Sequence, residues 1–354
     1  TQITCKPGVG AGMNQSWRVS VGDQQSAASS DTTSYALPAI SSLSPASFPT
    51  DAATAVTITG TNFGVDVSDN AASATYQNTA LSNLAGSMYA ATGCAVSAAH
   101  TQIVCTSVPG GVGHGLKWKV TVGDQESSAS NATTSYDGPA ISSLGGLSTF
   151  ATDGSDTDVV TITGTNFGPV DGTNNPVSAV YQNSELSSTY AKGEFSAREC
   201  AVSVAHTQIT CKPAAAGVGT GQSWKVSVGA QQSSSSYNTT SYSAPTITGL
   251  SGLAMFNTNG SIGGELVTIT GTNFGPVDGD NTVIAVYQNA ALSSTYAKGE
   301  FTGVECFVRM NHTQITCKPG VGAGMDQSWR VSVGDQQSAA SSDTTSYALP
   351  AISS

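Results

Sequence analysis

Residues 160–168 of the chain read Val-Thr-Ile-Thr-Gly-Thr-Asn-Phe-Gly, and this run indicates the fold class. Val and Ile alternate with Thr over the first four residues, a period of two that is typical of a β-strand with one buried face and one wet face. The same nine residues recur at 56–64 and 267–275. The chain is therefore predicted to be a tandem repeat of one β-rich unit.

A second alternating run keeps the same spacing. It reads Trp-Lys-Val-Ser-Val-Gly from Trp224. Related runs begin at Trp17, Trp118 and Trp329. Residues 1–42 return 312 residues later as 313–354, with Asn14 replaced by Asp326. The copied unit is thus a triplet of similar domains, which both a recent duplication and a fibre with three distinct packing positions would explain.

Domain boundaries are predicted between the tyrosine that ends each repeat and the proline that follows it. About seven short strands in roughly 105 residues, separated by Gly, Asn and Ser turns, indicate an immunoglobulin-like sandwich for each repeat. The predicted units are 1–36 (the second part of a domain), 37–136, 137–242, 243–347 and 348–354 (the start of another). Linkers of a few residues favour a stiff array, in which three domains end to end would span on the order of 100 Å.

The composition argues against two classes of partner. The chain has 354 residues, with 12 basic and 23 acidic side chains and a net charge of −11. Nucleic acids and anionic membrane surfaces are bound through Lys and Arg, so neither is expected as a partner. The sequence has no run of 18 apolar residues, and no membrane insertion is expected in this segment.

Six of the seven cysteines form pairs 11 residues apart. The pairs are Cys94 with Cys105, Cys200 with Cys211, and Cys306 with Cys317. Each pair flanks a hairpin-like turn, which predicts structural disulfides and a secreted or cell-surface location. Cys5 corresponds to Cys317, so its partner is expected in residues that precede this segment. Zinc is the alternative, but no fourth ligand repeats with the recurring histidines, which are expected to be turn residues. These are His100, His206 and His312.

Glycosylation is expected from sequons and from Ser/Thr clusters. Asn-x-Ser/Thr tripeptides begin at Asn14, Asn131, Asn238, Asn259 and Asn311. Asn131 and Asn238 lie just before the terminal tyrosine of a domain, at positions expected to be equivalent. The run Ser233, Ser234, Ser235 and Ser236 is a candidate O-glycosylation cluster. The alternative for any single Ser or Thr is that it covers the outer face of a strand or turn.

Motifs of catalysis are missing from the sequence. It has no Gly-x-Ser-x-Gly elbow, His-Glu-x-x-His run, phosphate loop or dinucleotide fingerprint, so neither an enzyme nor a cofactor other than covalent glycans is expected. The loops after Asn-Phe-Gly hold weak calcium candidates, Asp171, Asp278 and Asp280, whose oxygens suit Ca²⁺. Their spacing varies and the bidentate Glu of a calcium hand is missing, which favours ordinary Asx turns and no metal.

The order of these motifs resembles the IPT/TIG domain. In the second repeat the series is Pro139, the run 160–168, Cys200, the segment 207–211, Gly-Val-Gly at 217–219 and the strand 226–229. The resemblance covers all three repeats and both partial ends. It implies an all-β, early-set immunoglobulin-like fold. Since the family occurs in plexin-type receptors, extracellular repeat proteins, transcription factors and spacers of starch-acting enzymes, it implies a fold more than a function.

Two functions fit these observations. The leading hypothesis is a non-enzymatic structural protein of an extracellular, glycosylated filament or cell-surface appendage, whose partners are copies of itself and other extracellular glycoproteins. The alternative is an adhesin or receptor ectodomain that binds a protein or glycan, for which the divergent stretch of the first repeat, with Met88 and Tyr89, is the candidate surface. A third hypothesis is that the chain is the spacer of a carbohydrate-active enzyme, which requires a catalytic region outside this segment.

Overall fold

A computed structural model describes residues 2–51, 53–65, 71–78, 88–170, 175–183, 193–252, 254–260, 265–277, 282–289 and 299–352. Every regular element in these ranges is a β-strand, and the strands form three successive sandwiches that follow a short N-terminal piece. The predicted all-β class and the tandem immunoglobulin-like array are confirmed.

The N-terminal piece and the first sandwich (domain 1) are built from short strands. The strands of the N-terminal piece are β1 (Gln15–Ser16), β2 (Ser20–Val21), β3 (Gln24–Gln25) and β4 (Thr32–Thr33). Those of domain 1 are β5 (Ala39–Ser44), β6 (Ser47–Phe48), β7 (Val56–Thr61), β8 (Ala72–Asn78), β9 (Met88–Ala98), β10 (Gln102–Ser107), β11 (Leu116–Val122), β12 (Gln125–Glu126) and β13 (Thr133–Tyr136).

Domains 2 and 3 share one order of strands with each other. Domain 2 contains β14 (Ala140–Gly146), β15 (Thr149–Phe150), β16 (Val160–Thr165), β17 (Val177–Gln182), β18 (Phe195–Ser196), β19 (Arg198–Val204), β20 (Gln208–Lys212), β21 (Gln222–Val228), β22 (Gln231–Gln232) and β23 (Thr239–Tyr242). Domain 3 contains β24 (Thr246–Gly252), β25 (Met255–Phe256), β26 (Val267–Thr272), β27 (Val283–Gln288), β28 (Glu300–Thr302), β29 (Val304–Met310), β30 (Gln314–Lys318), β31 (Gln327–Val333), β32 (Gln336–Gln337) and β33 (Thr344–Tyr347).

Two sheets face each other in each domain. In domain 2 one sheet has the order β14-β16-β20-β19 and the other β15-β23-β21-β17-β18, and domain 3 has the same arrangement. In domain 1 the long strand β9 replaces two shorter strands, because its first part pairs with β8 and its last part with β10. The two sheets of domain 1 are thereby continuous through β9.

The alternating strands supply the core of each sandwich. In the run 160–168, Val160 and Ile162 are fully buried, whereas Thr161 and Thr163 are half-buried. Trp224 of β21 stacks on Tyr181 of the neighbouring strand with ring centroids 4.3 Å apart, and its indole Nε1 donates to Thr240 Oγ1 at 2.8 Å. The Trp118–Tyr76 and Trp329–Tyr287 pairs have the same geometry. These aromatic residues are therefore core residues.

Each core also contains a pair of tyrosine hydroxyls. Tyr181 Oη lies 2.5 Å from Tyr242 Oη, and Tyr181 Oη accepts a hydrogen bond from Ala214 N at 2.8 Å. Burial away from water raises the pKa of both phenols above the ordinary value for tyrosine. The equivalent pairs are Tyr76–Tyr136 and Tyr287–Tyr347. Both hydroxyls of each pair therefore stay neutral and hydrogen-bonded within the core.

Two of the four serines in the candidate O-glycosylation cluster are buried. Ser233 Oγ accepts from Val226 N at 3.0 Å, and Ser236 Oγ accepts from Trp224 N at 2.9 Å. Their hydroxyls thus satisfy backbone groups of β21. Ser234 and Ser235 are exposed. The expectation of O-glycans at Ser233 and Ser236 is wrong because their hydroxyls are committed to the fold, and only Ser234 and Ser235 remain as candidates in this run.

Candidate interdomain interface

A Gly-Val-Gly loop in domain 1 and another in domain 2 each insert a valine into the following domain. Val112 of domain 1 is 2% exposed and belongs to the hydrophobic core of domain 2. Val218 of domain 2 is buried in the same way in the core of domain 3. Burying a valine side chain contributes about 2 kcal/mol. Each junction is therefore a hydrophobic contact as well as a covalent link.

Glycines of the receiving domain make room for the inserted valine. A Cβ atom added at Gly168 would lie 2.3 Å from Val112 Cγ1, and one added at Gly229 would lie 2.8 Å from Val112 Cβ. Both glycines also have a positive φ, a conformation that a side chain would strain. Gly168 ends the Asn-Phe-Gly run, so this run serves the junction in addition to the strand that precedes it.

A glutamine of the receiving domain binds the last residue of the preceding one. Gln231 Nε2 donates to the carbonyl oxygen of Tyr136 at 2.9 Å, and Gln336 Nε2 donates to that of Tyr242 at 2.9 Å. Each glutamine follows a tight hairpin turn whose two central residues have positive φ. Because Tyr136 also donates its backbone N–H to Gly113 at 2.8 Å, it connects the valine loop to the next domain.

Two of the recurring histidines, His206 and His312, reach across the junctions. His206 Nδ1 lies 3.0 Å from Thr50 Oγ1 of domain 1, and His312 Nδ1 lies 2.9 Å from Thr152 Oγ1 of domain 2. Both histidines have positive φ, as expected for turn residues, but their rings have this further role. Burial lowers the pKa of His312, against an opposing effect of Asp153. The signal that sequence reasoning missed is the recurrence of Phe-x-Thr at 48–50, 150–152 and 256–258 together with the histidine of the His-Thr-Gln-Ile segment in each domain.

The asparagine of each Asn-Phe-Gly run holds the linker. Asn166 Nδ2 donates to the carbonyl oxygen of Gly138 at 3.2 Å, and Asn273 Nδ2 donates to that of Ala244 at 3.2 Å. The linker between adjacent domains is therefore hydrogen-bonded to the downstream domain.

The junction before domain 1 is a variant of the same design. Ala11 packs against the domain 1 core where the later junctions have valine. Gln125 Nε2 donates to Tyr35 O at 2.9 Å, and Gln125 Oε1 accepts from Gly12 N at 3.2 Å. The smaller apolar contact is thus accompanied by a hydrogen bond that the glutamine side chain accepts from Gly12.

The cysteine pairs form disulfide bonds. In each domain the bond lies on the sheet that contains the Val-Thr-Ile-Thr strand. Cys94 and Cys105 face each other on β9 and β10, and the bonds Cys200–Cys211 and Cys306–Cys317 join the equivalent strands. Cys5 is free and exposed in this chain.

The sequon asparagines Asn14, Asn131, Asn238, Asn259 and Asn311 are all exposed. Asn131 and Asn238 are not equivalent, because Ser130 Oγ donates to Ala132 O whereas Ser236 Oγ donates to Asn238 O. Asn238 therefore corresponds to Ala132, one residue after Asn131, and the expected equivalence is wrong.

The calcium candidates Asp171, Asp278 and Asp280 lie outside the described residues. Among the residues whose positions are described, no three His, Cys, Asp or Glu side chains are grouped as a metal site. Within the same ranges, no helix has the length and apolar character needed to cross a bilayer.

The divergent stretch of domain 1 contributes one core residue and one surface residue. Tyr89 stacks on Tyr76 at 5.2 Å, as Phe195 stacks on Tyr181 in domain 2, so it fills the core. Met88 is exposed and lines a groove of about 330 Å³ with Lys117, Lys119 and Glu126. Of the two residues proposed for partner binding, only Met88 is on the surface.

The sandwiches and their recurring junctions define a tandem array of immunoglobulin-like domains. The family model described as IPT/TIG domain matches residues 38–136, 139–242 and 245–348. The chain therefore belongs to the IPT/TIG family, as its motifs predicted. No curated protein sequence matches it.

Similar solved structures include three extracellular or surface proteins. They are the plexin A4 extracellular region (16% identity, 82% of this chain and 22% of that one, TM-score 0.26), the surface glycan-binding protein PbSGBP-B from Prevotella bryantii (14%, 84% and 54%, 0.33) and the Escherichia coli adhesin FdeC (14%, 88% and 96%, 0.24). The chain spans less than two thirds of the length of the first two. At these TM-scores the likeness adds nothing to the family assignment.

Proposed function

We propose that the chain is a non-enzymatic structural protein of an extracellular, glycosylated filament or cell-surface appendage. The observation that carries this proposal is the repetition of one junction, in which a valine, a glutamine and a histidine connect domain 1 to domain 2 and domain 2 to domain 3. These contacts favour a fixed relative orientation of neighbouring domains, which a stiff fibre needs and a flexible string of domains lacks.

An extracellular location is supported by the disulfide bonds. Three disulfides in three domains suit an oxidising compartment, because cytosolic thiols are kept reduced. Glycans on the exposed sequons would supply solubility to a chain in which only 10% of the residues are charged. Mass spectrometry of native material, before and after enzymatic removal of N-glycans, tests occupancy at Asn131 and Asn238. Bare asparagines at every sequon would contradict the glycoprotein part of the proposal.

Small-angle X-ray scattering of the 354-residue chain tests the rigid array. We expect a rod with one maximum dimension, on the order of 100 Å for three domains end to end. The double variant Val218→Ala/Gln336→Ala removes the apolar contact and the hydrogen bond at one junction, and it should broaden the distribution of lengths. Alanine is a natural residue at this position, because Ala11 takes the place of the valine at the junction before domain 1.

Val204→Ser, an exposed position of domain 2, is the matched control and should leave the scattering unchanged. A wild-type chain as flexible as the double variant would contradict the proposal.

An adhesin or receptor ectodomain is the second candidate, and the groove beside Met88 favours it. This groove contains the Lys119–Glu126 ion pair and an exposed apolar side chain, a mixture that can bind a polar ligand. A glycan array probed with wild-type protein and with Met88→Ser tests it. Binding that the variant loses would support this function, and no binding by the wild type would remove it.

A further inference from the structure

One face of domain 1 binds residues from the N-terminal piece. Ala11 packs against the domain 1 core, and Gly12 N donates to Gln125 Oε1 at 3.2 Å. Gln125 Nε2 in turn donates to Tyr35 O at 2.9 Å. A Cβ atom added at Gly123 would lie 2.8 Å from Gly12 N, so the two loops are in close contact. We call Gly123 and Gln125, with the apolar surface that Ala11 contacts, the entry face of domain 1.

The groups that bind this face occur a second time in the chain, in domain 3. Residues 313–354 repeat residues 1–42 with one difference. The counterparts of Ala11, Gly12 and Tyr35 are therefore Ala323, Gly324 and Tyr347. Ala323 and Gly324 are both exposed. We call these three residues of domain 3 its exit face.

The exit face already has the conformation that the entry face binds. The φ of Gly324 is 120°, and that of Gly12 is 117°. Tyr347 N donates to Gly324 O at 2.8 Å, as Tyr35 N donates to Gly12 O at 3.0 Å. Docking of the exit face on a domain 1 would therefore require no rearrangement of domain 3, which lowers its free-energy cost.

The two segments with this sequence differ in how well the rest of their domain supports them. Trp17 is 40% exposed, whereas the equivalent Trp329 is completely buried. Val19 is exposed and the equivalent Val331 is buried. In the described part of the N-terminal piece, the two-residue strands β1–β4 pair with one another, whereas β31 and β33 belong to a complete sandwich. The exit face is thus the more ordered of the two, and it loses less conformational entropy on binding.

The segment that follows the exit face repeats the start of domain 1. Residues 348–354 read Ala-Leu-Pro-Ala-Ile-Ser-Ser, as residues 36–42 do. In domain 1, Ile40 packs against the core and Ala39–Ser44 pairs with β7. The equivalent Ile352 is fully exposed, and the last described strand ends before it, at Tyr347. A segment with the sequence of a domain 1 strand therefore lies outside any described strand.

We propose that the exit face of domain 3 in one copy docks on the entry face of domain 1 in a second copy, where residues 348–354 replace residues 36–42 beside β7. This is a domain swap, whose cost is low because identical residues make the contacts that are lost and gained. The contact is heterologous, so it joins chains head to tail and extends without closing. The proposal rests on the proposed structural role and deepens it, because it names the contact between chains.

Sedimentation velocity of the 354-residue chain, equilibrated over a concentration series, tests the swap. We expect an open-ended series of oligomers for the wild type. Ala323→Glu adds a carboxylate to the exposed exit face, which should weaken association about tenfold or more, because the charge would enter an apolar contact. Ala11→Glu makes the same change in the competing segment and should strengthen association by a similar factor, because it releases the entry face. Val204→Ser, at an exposed position of domain 2, should associate like the wild type.

The opposite signs of the two glutamate variants are the decisive result. Shifts in the same direction, or a wild type and an Ala11→Glu chain that both stay monomeric, would overturn the proposal. Gln125→Ala removes both hydrogen bonds of the entry face, so it should cancel the gain from Ala11→Glu, and a double variant that keeps this gain would also overturn it. Scattering from the dilute, unassociated rod and glycan occupancy do not depend on the swap, so its failure and failure of the proposed structural role are distinguishable.

Discussion

At the scale of single residues, buried serines bond to backbone groups of β21. A neighbouring strand would otherwise make these hydrogen bonds. Ser236 accepts from Trp224 N and donates its own backbone N–H to Trp224 O, both within 2.9 Å. Ser233 makes the same pair of bonds with Val226. The spacing of three between these serines recurs at 127 and 130 and at 338 and 341. It is the signal that distinguishes structural serines from those on the surface.

Replacement of Ser236 therefore destabilises domain 2. Ser236→Ala leaves the buried Trp224 N–H without an acceptor, and the free energy of unfolding should fall by about 1–3 kcal/mol. Ser235→Ala, at the exposed neighbour, should change it by less than about 0.5 kcal/mol. Urea denaturation of both variants measures the difference, and equal effects would show that the serine is not structural.

Prediction from sequence was limited at this scale by the chemical similarity of serines in one run. Composition indicates that a Ser-rich segment can carry sugars, but it does not say which hydroxyls turn inward. The period of two identified Val160 and Ile162 as core residues because alternation is a direct consequence of strand geometry. The side chain of His312 could not be placed in the same way, since its partner Thr152 lies 160 residues away in the preceding domain.

At the scale of secondary-structure elements, the disulfide fastens the hairpin of β19 and β20. The bond Cys200–Cys211 closes a short loop, and in the chain-entropy model such a loop contributes about 3 kcal/mol. The double variant Cys200→Ala/Cys211→Ala should therefore lower the unfolding free energy of domain 2 by about this amount. Hydrogen exchange of residues 208–228 under urea reports it, and Cys5→Ala, at a free and exposed thiol, should have no effect.

A loss confined to the ends of the hairpin would contradict this prediction, because the loop-closure model requires the whole domain to be affected. The positions of such elements were accessible from sequence, since strands and turns are encoded locally. The continuity of β9 in domain 1 was not, because whether a strand crosses from one sheet to the other depends on the packing of residues far apart in sequence.

At the scale of the whole molecule, the array should respond to acid at the junction between domains 2 and 3. Burial lowers the pKa of His312, so the docked state binds protons less readily than the separated state, whose histidine titrates near 6.5. The junction keeps its full stability above pH 6.5 and loses it as the pH falls from there towards the lowered pKa. Scattering at pH 7.5 and pH 5 should show a more flexible rod in acid.

His312→Gln keeps hydrogen-bonding capacity but does not titrate, and it should abolish the response to acid. The same loss of rigidity in this variant would assign the effect to other groups. The junction as a whole was the part of the molecule least accessible from sequence. The short linkers indicated stiffness, but the fit of Val112 between Gly168 and Gly229 depends on two domains meeting in three dimensions.

The burial of Val112 in the core of domain 2 means that the cooperative unit of folding is offset from the unit of sequence. A cut at the tyrosine before each linker separates the repeats in the sequence, yet it leaves domain 2 without Val112, one of its core side chains. Unfolding of one domain withdraws a side chain from the next, so melting should spread along the array as it does in a one-dimensional lattice with coupled neighbours.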